Sequence, residues 1–441
     1  MNLIPESFLK RFHHRPNLIT TLHNLSWLFF DKMLRMGVGL VVSAWVARYL
    51  GPDNFGSLSY AIALIGLFST ISNLGLNSIV VRDLIEKPKI KNLTLGSAFF
   101  MQMLGGMLAV LCCIYAVMYI QPYNKLMQIM VILLGTTLIF KSTDVIKYWF
   151  ESRLESRYVV WVENGVFILS SAIKVLMIWK GVALIGFIWL MFFESLIVAI
   201  GFLSLYSIKV REIHLWRVSL QKCKFLFKEC WPLIISGLTI SLYMRIDQLM
   251  LGQMLGASSV GLYSSALRIS EVWYFVPMII VSSAFPQIIK AREKSQELYK
   301  TQIQSLYNIL TLLSIIIAVL FTFFSDLVIE ILYGAAYAGS ASILRIHVWT
   351  GIFVSLGVAS GSWYQLEGLN KVIFYRTLGG ALINVVANYF LIPICGGKGA
   401  ALATLGSQIF AAYLFDASNI RTVEAFKMKT KALLLFNSFA K

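Results

Sequence analysis

Apolar positions in this chain gather into long runs, and polar and basic residues fill the short gaps between them. Twelve runs stand out, at 24–48, 57–81, 93–120, 126–146, 158–179, 182–206, 229–250, 261–287, 304–324, 341–364, 372–394 and 399–420. A helix needs about 20 apolar residues to cross a bilayer, and each run is of that size. The runs are too long and unbroken for buried strands. The alternating segments of roughly ten residues that build a membrane β-barrel do not occur. The pattern predicts an all-α polytopic membrane protein with about twelve transmembrane helices.

Composition points the same way. Of 441 residues, 58% are hydrophobic and 13% charged, with a mean hydropathy of +0.75. Soluble domains are about 45–50% apolar and about 25% charged, and one soluble core stops growing at roughly 250–300 residues. A disordered chain, a coiled coil, a secreted disulfide scaffold and most soluble enzymes are excluded. The five cysteines form no CxxC pair: Cys112 and Cys113 adjoin, Cys223 and Cys230 fall in a basic loop, and Cys395 ends a span. The five histidines form no HExxH. No metal site or cofactor is expected.

A net charge of +17 would suggest nucleic acid in a soluble protein, but here the cations sit in short loops between apolar spans. Lys and Arg collect on the cytoplasmic side of membrane helices. The termini and the even-numbered loops hold 26 of them, the other loops only 4. Both termini are therefore expected in the cytoplasm, with lipid bilayer and not nucleic acid as the partner. Residues 1–23 carry Lys10, Arg11 and Arg15 without a secretory signal, and are expected to lie on the membrane surface. The basic stretch 207–228 is expected to be a cytoplasmic linker in contact with anionic headgroups.

The chain also repeats itself. Residues 50–61 read LGPDNFGSLSYA and residues 255–266 read LGASSVGLYSSA, so Leu50/Leu255, Gly51/Gly256, Gly56/Gly261, Ser59/Ser264 and Ala61/Ala266 coincide. Each segment joins two spans, 1 to 2 and 7 to 8. An even number of spans separates the copies, which predicts two six-helix lobes of the same orientation, related by a pseudo-twofold along the membrane normal. The expected division is a cytoplasmic segment 1–23, an N-lobe 24–206, the linker 207–228, a C-lobe 229–420 and a basic cytoplasmic tail 421–441.

These segments carry a family resemblance. ARYLGPDNFGSLSYAIALIGLFSTISNLGLNSIVVRD, from Ala47 to Asp83, resembles the opening signature of polysaccharide flippases of the multidrug/oligosaccharidyl-lipid/polysaccharide exporter superfamily. RIDQLMLGQMLGASSVGLYSSALRI, from Arg245 to Ile269, is similar to that family's mid-chain motif. NVVANYFLIPICGGKGAALATLGS, from Asn384 to Ser407, resembles its spans 11–12. The resemblance implies a V-shaped transporter that works by alternating access in a bacterial inner membrane. It implies movement of undecaprenyl-diphosphate-linked oligosaccharide to the outer leaflet, for O-antigen, capsule or exopolysaccharide synthesis. A polysaccharide polymerase and a chain-length regulator would be its neighbours. It also implies substrate-facing cations on spans 1 and 8, which by position are Arg35 and Arg268.

Ionisable groups inside a bilayer are costly and mark functional candidates. The spans hold Lys32, Arg35, Lys141, Lys174, Arg245, Arg268, Arg345 and Arg376, and the acids Asp31, Asp144, Glu163, Glu194, Asp247, Glu271 and Asp416. Asp31/Arg35, Lys141/Asp144 and Arg268/Glu271 are spaced to neutralise one another along a helix. Glu163, Arg376 and Asp416 lie near span ends, where they are expected to snorkel. Arg345 is expected to anchor a span end. Glu194, Lys32 and Lys174 have no partner in sequence. Arg245 and Asp247, at i, i+2, face apart. Lys32, Arg35, Lys174, Arg245 and Arg268 are the candidate ligands of a diphosphate. Asp31, Glu194, Asp247 and Glu271 are the candidate coupling or ion-pair acids. Asn384 and Asn388, one turn apart, suit helix–helix hydrogen bonding or a sugar contact. Trp45, Trp149, Trp179 and Trp231 are expected in the interfacial aromatic belt.

A drug or cation antiporter of the same superfamily is the alternative, and a peptidoglycan-precursor flippase would usually add two spans. A membrane glycosyltransferase or polymerase would need features absent here: no DxD, ExD or ExE occurs among the 21 acids, and no large outer loop is present.

Overall fold

A computed structural model of the chain describes residues 16–434. Lys10, Arg11, Arg15 and the last seven residues of the tail lie outside the described residues.

Every described element is helical. In order they are α1 (Pro16–Asn73), α2 (Leu76–Glu86), α3 (Lys91–Ile120), α4 (Lys125–Gly135), α5 (Thr137–Phe140), α6 (Asp144–Ser152), α7 (Ser156–Trp179), α8 (Leu184–Lys209), α9 (Leu220–Leu255), α10 (Ala257–Glu271), α11 (Phe275–Lys294), α12 (Gln296–Tyr333), α13 (Ala338–His347), α14 (Thr350–Leu366), α15 (Asn370–Cys395), α16 (Gly397–Ala412) and α17 (Val423–Leu433). Among the described residues ten helical stretches are long and apolar enough to cross a membrane, and α13 with α14, bent by 45°, would make an eleventh. The first stretch runs 58 residues, Phe29–Glu86, or about 87 Å at 1.5 Å per residue, where one crossing takes about 30 Å. It breaks at Gly51, so it holds two spans. Divided there, the ten or eleven candidate stretches of the described residues can supply the twelve spans that hydropathy predicts.

Gly51 adopts φ 74 and ψ 168, and Gly256 adopts φ 84 and ψ −178. The repeat therefore places the same conformation at both breaks, one that a side chain with a Cβ rarely takes. The two copies also pack on each other. A Cβ at Gly56 would stand 1.8 Å from the Ala257 carbonyl oxygen, and one at Gly261 would stand 2.1 Å from that of Pro52. The contact is reciprocal, because Gly56 matches Gly261 and Pro52 matches Ala257 at the repeat offset.

The chain forms two compact units. One comprises the residues up to Tyr49 and Ala61–Ser241; the other comprises Leu50–Tyr60 and everything from Leu242 on. The first is built around Leu76, Val80, Leu95, Ile146, Phe150, Phe202 and Tyr206. The second is built around Leu306, Tyr307, Leu310 and Leu356, with Ala432 of α17 packed in. Large apolar side chains elsewhere stay exposed, as helices facing lipid require. Trp45, Trp179 and Trp231 are among them, whereas Trp149 is buried against Tyr206 and is not a belt residue.

The stretch expected to be a loop at 207–228 is helical from Leu220 onward, which puts Cys223 and Cys230 in α9. Lys222 does not reach for headgroups. It bonds Asp83 at 2.6 Å in the buried interior of the first unit, and Thr94 donates to the same oxygen. Pairing with a buried acid outweighs solvation of that lysine. Glu212, in the remaining connection, is held below the usual carboxylate range by hydrogen bonds from Lys91 and Asn92.

Candidate functional site

In the second unit a carboxylate sits in a polar cage. Asp247, on α9, is buried. Tyr263 of α10 donates to its Oδ2 at 2.7 Å, Asn388 of α15 donates to Oδ1 at 2.5 Å, and Thr404 of α16 donates to Oδ2. Asn388 also donates to Asn384 at 3.1 Å. The helical period puts both amides on one face of α15. The tight hairpin at Gly396 and Gly399 then brings α16 alongside, since a Cβ at Gly399 would lie 2.2 Å from the Leu391 carbonyl. No lysine or arginine pairs with Asp247 among the described residues. The acid is satisfied by neutral donors alone.

Arg245, two residues earlier, points away from this cage as its spacing requires. It is half-buried and makes no ion pair among the described residues. Arg268 of α10 lies over the Phe55 ring, 5.1 Å from its centroid. Its expected pairing with Glu271 does not form, because the guanidinium turns to the aromatic face instead. Phe55 in turn meets Tyr337 edge-on, and Tyr337 packs on Tyr333. Arg245, Arg268 and Glu271 therefore share this unit without direct salt bridges.

The first unit treats its charges differently. Arg35 bonds Asp31 at 2.7 Å and also Glu163 at 3.1 Å. Lys147 approaches the other Glu163 oxygen at 3.4 Å. Glu163 thus closes a network across α1, α6 and α7 and does not snorkel. Lys174 and Glu194 have no partner in sequence, yet they pair with each other at 3.0 Å across α7 and α8, and Ser170 donates to the same carboxylate. Lys32 is exposed and unpaired among the described residues. Lys141 and Asp144, parted by a 3-10 turn, form no bridge.

Two further expectations are corrected in the second unit. Arg376 does not snorkel: it donates to Ser360 at 2.8 Å and to the Gly357 carbonyl. Asp416 is fully buried against Lys429 at 2.5 Å, and the same ammonium donates to the Ala412 carbonyl. Burial pushes Lys429 down to about 8, with Asp416 pulling the other way. Arg345 pairs with Asp326. Tyr263, Thr404, Lys147 and Lys429 carry no signal in the sequence by themselves. The Asn384/Asn388 spacing is the one local sign of the cage.

Long apolar helices with charges buried along them define a multi-pass membrane protein. The comparisons give the class a family. The family described as Polysaccharide biosynthesis protein matches residues 21–291, more than half of the chain, and the MatE family matches residues 232–390. The chain is 23% identical to the probable low-salt glycan biosynthesis flippase of Haloferax volcanii, over 86% of this chain and 79% of that one. It is 25% identical to the probable flippase AglR of the same organism, with the same coverage. Its fold matches the lipid II flippase MurJ in an inward closed conformation, with a TM-score of 0.69 at 14% identity over 94% of this chain and 91% of that one. The chain belongs to the polysaccharide biosynthesis protein family, the flippase branch of the multidrug/oligosaccharidyl-lipid/polysaccharide exporter superfamily.

Proposed function

We propose that this flippase moves an undecaprenyl-diphosphate-linked oligosaccharide from the cytoplasmic to the outer leaflet of a bacterial inner membrane by alternating access, feeding O-antigen, capsule or exopolysaccharide synthesis. A polymerase and a chain-length regulator would take the product onward. The observation that carries this reading is Arg245 with Arg268: two guanidinium groups in spanning helices of one unit, neither in a salt bridge among the described residues, with Glu271 near both but bonded to neither. A diphosphate brings about two negative charges and oxygens that a guanidinium grips in pairs. Two unpaired arginines also disfavour a cationic drug as cargo. Arg35 and Lys174 are weaker candidates than the sequence suggests, because a phosphate would have to displace carboxylates already bound to them. Lys32 stays available. Asp247 is the proposed coupling group, a carboxylate whose neutral cage leaves its charge free to take up a proton or a small cation. The 26-to-4 distribution of Lys and Arg supports cytoplasmic termini.

The test uses vesicles containing the purified protein and a fluorescent lipid-linked oligosaccharide. Arg245→Ala and Arg268→Ala should each slow flipping about tenfold or more, the value of one charge-assisted hydrogen bond, while the protein stays folded. Lys at either position should recover part of the rate. Wild-type flipping by the double Ala variant would remove these residues from the substrate path.

A further inference from the structure

Two spans of the second unit are interrupted side by side. The span beginning with α10 passes through a 3-10 turn at Val272–Tyr274 before α11, and the α13/α14 pair bends by 45° at Val348–Trp349. Two hydrogen bonds tie these interruptions together. His347 Nδ1 lies 2.6 Å from Ser270 Oγ, and Tyr274 Oη lies 2.7 Å from Thr350 Oγ1. Thr350 donates its own proton to the His347 carbonyl at 2.6 Å, so Tyr274 is the donor of its pair. Ser270 has the Leu267 carbonyl at 3.2 Å for its proton, which assigns the ring proton to Nδ1. Nε2 then carries a lone pair with no partner among the described residues, in a residue only 2% exposed.

The imidazole also touches the cage. The Tyr263 ring meets it edge-on, 6.1 Å between centroids at 87°, and the Tyr263 hydroxyl is the one that donates to Asp247. A cavity of about 20 Å³, lined by Ser270, Tyr274, Ser314 and Ser355 among others, lies at the same interruptions and is large enough for one water.

We propose that His347 is a proton-sensitive positioning residue of the transport cycle: neutral, it staples the two interrupted spans and steadies Tyr263 on Asp247, and protonation at Nε2 releases the staple. Among the described residues a new N–H at Nε2 would find no acceptor and a buried imidazolium no acid in contact, so protonation disfavours this arrangement. The charged and titratable groups on the packed elements are few. α10 offers Tyr263, Arg268 and Glu271; α12 offers Asp326, already held by Arg345, with Glu330 and Tyr333. α16 offers Lys398 at its start, and α14 carries no charge near the bend. Asp247 acts only through Tyr263.

Only the effect on rate rests on the flippase reading, so the test has two arms. In the first, hydrogen exchange of the purified protein is compared at pH 8 and pH 6 after correction for the intrinsic rate. Residues 270–276 and 346–351 should lose about fourfold in protection at pH 6 in the wild type, the factor by which an opened imidazole of ordinary pKa about 6.5 takes up its proton, and should not change in His347→Asn. His347→Gln serves if the Asn variant does not fold. Protection independent of pH in the wild type, or the same pH response in both variants, overturns the proposal. In the second arm, the flipping rate of the wild type should change between pH 6 and pH 8, and that of His347→Asn should stay flat. An exchange response with no flipping by any variant at either pH supports the staple and removes the flippase reading alone. Equal pH profiles of flipping in wild type and variant overturn the positioning role.

Discussion

Replacing Asp247 by Asn separates two accounts of the buried acid. If Asp247 were one half of an ion pair, its neutralisation would leave the partner cation uncompensated at about 3–5 kcal/mol. Among the described residues no such cation pairs with Asp247. Tyr263, Thr404 and Asn388 donate to the carboxylate, and the Asn388 Oδ1 has no partner among the described residues. An Asn at 247 can keep its oxygen toward Tyr263 and Thr404 and turn its NH2 toward Asn388. A flip of Asn388 then presents the idle Oδ1, and the lost contact is the 3.1 Å bond to Asn384. The net loss is one hydrogen bond, about 1 kcal/mol. Asp247→Ala instead removes the shared acceptor, and although Thr404 keeps the Ala400 carbonyl at 2.9 Å, Tyr263 the Thr404 oxygen at 3.3 Å and Asn388 the Asn384 oxygen at 3.1 Å, three hydrogen bonds are lost at about 1 kcal/mol each, about 3 kcal/mol in total. Unfolding of both variants in matched detergent, followed by tryptophan fluorescence against denaturant, measures the difference. Asp247→Asn should accumulate and unfold close to the wild type, and should lose gradient-driven flipping in vesicles. If it is as unstable as the Ala variant, the cage is not satisfied by neutral donors and the argument fails.

The remaining predictions concern stability and orientation. Lys429→Met strands a fully buried Asp416 and should cost about 3–5 kcal/mol; adding Asp416→Leu should recover most of that loss in the same unfolding assay. Lys429 binds its proton less tightly folded, at about 8, than at its ordinary 10.5. The unfolded chain therefore holds more protons across that window, and wild-type stability relative to Lys429→Met should rise with pH from about 8 to about 10.5. A cysteine placed at Ser258 should react with an impermeant thiol reagent in intact cells, and Cys223 should not; the reverse labelling would invert the proposed orientation.

What the sequence reveals follows from the reach of a helix. Hydropathy finds the spans because lipid demands them, and Asp31 with Arg35 is legible because one turn brings them together. The conformation shared by Gly51 and Gly256 is legible because the repeat preserves both glycines. Arg35 with Glu163 is not, since 128 residues separate them. Neither is Asp247 with Asn388, which lie 141 residues apart. Position near a span end also misleads. Arg376 and Asp416 could reach water by length alone, but the fold covers that end with α17 and supplies hydrogen-bond partners inside. The pairing of Lys174 with Glu194 shows the same limit, because each looks solitary until its neighbouring helix is placed.

The crossing of the repeated turns makes two distant stretches of sequence depend on each other. Gly56 meets the segment after Gly256, and Gly261 meets the segment after Gly51. A contact in which each copy gives what it receives is the kind that two identical subunits make across a twofold axis. Each glycine therefore has to remain small for the sake of the other copy, and a substitution in one repeated segment is answerable to the sequence of the other.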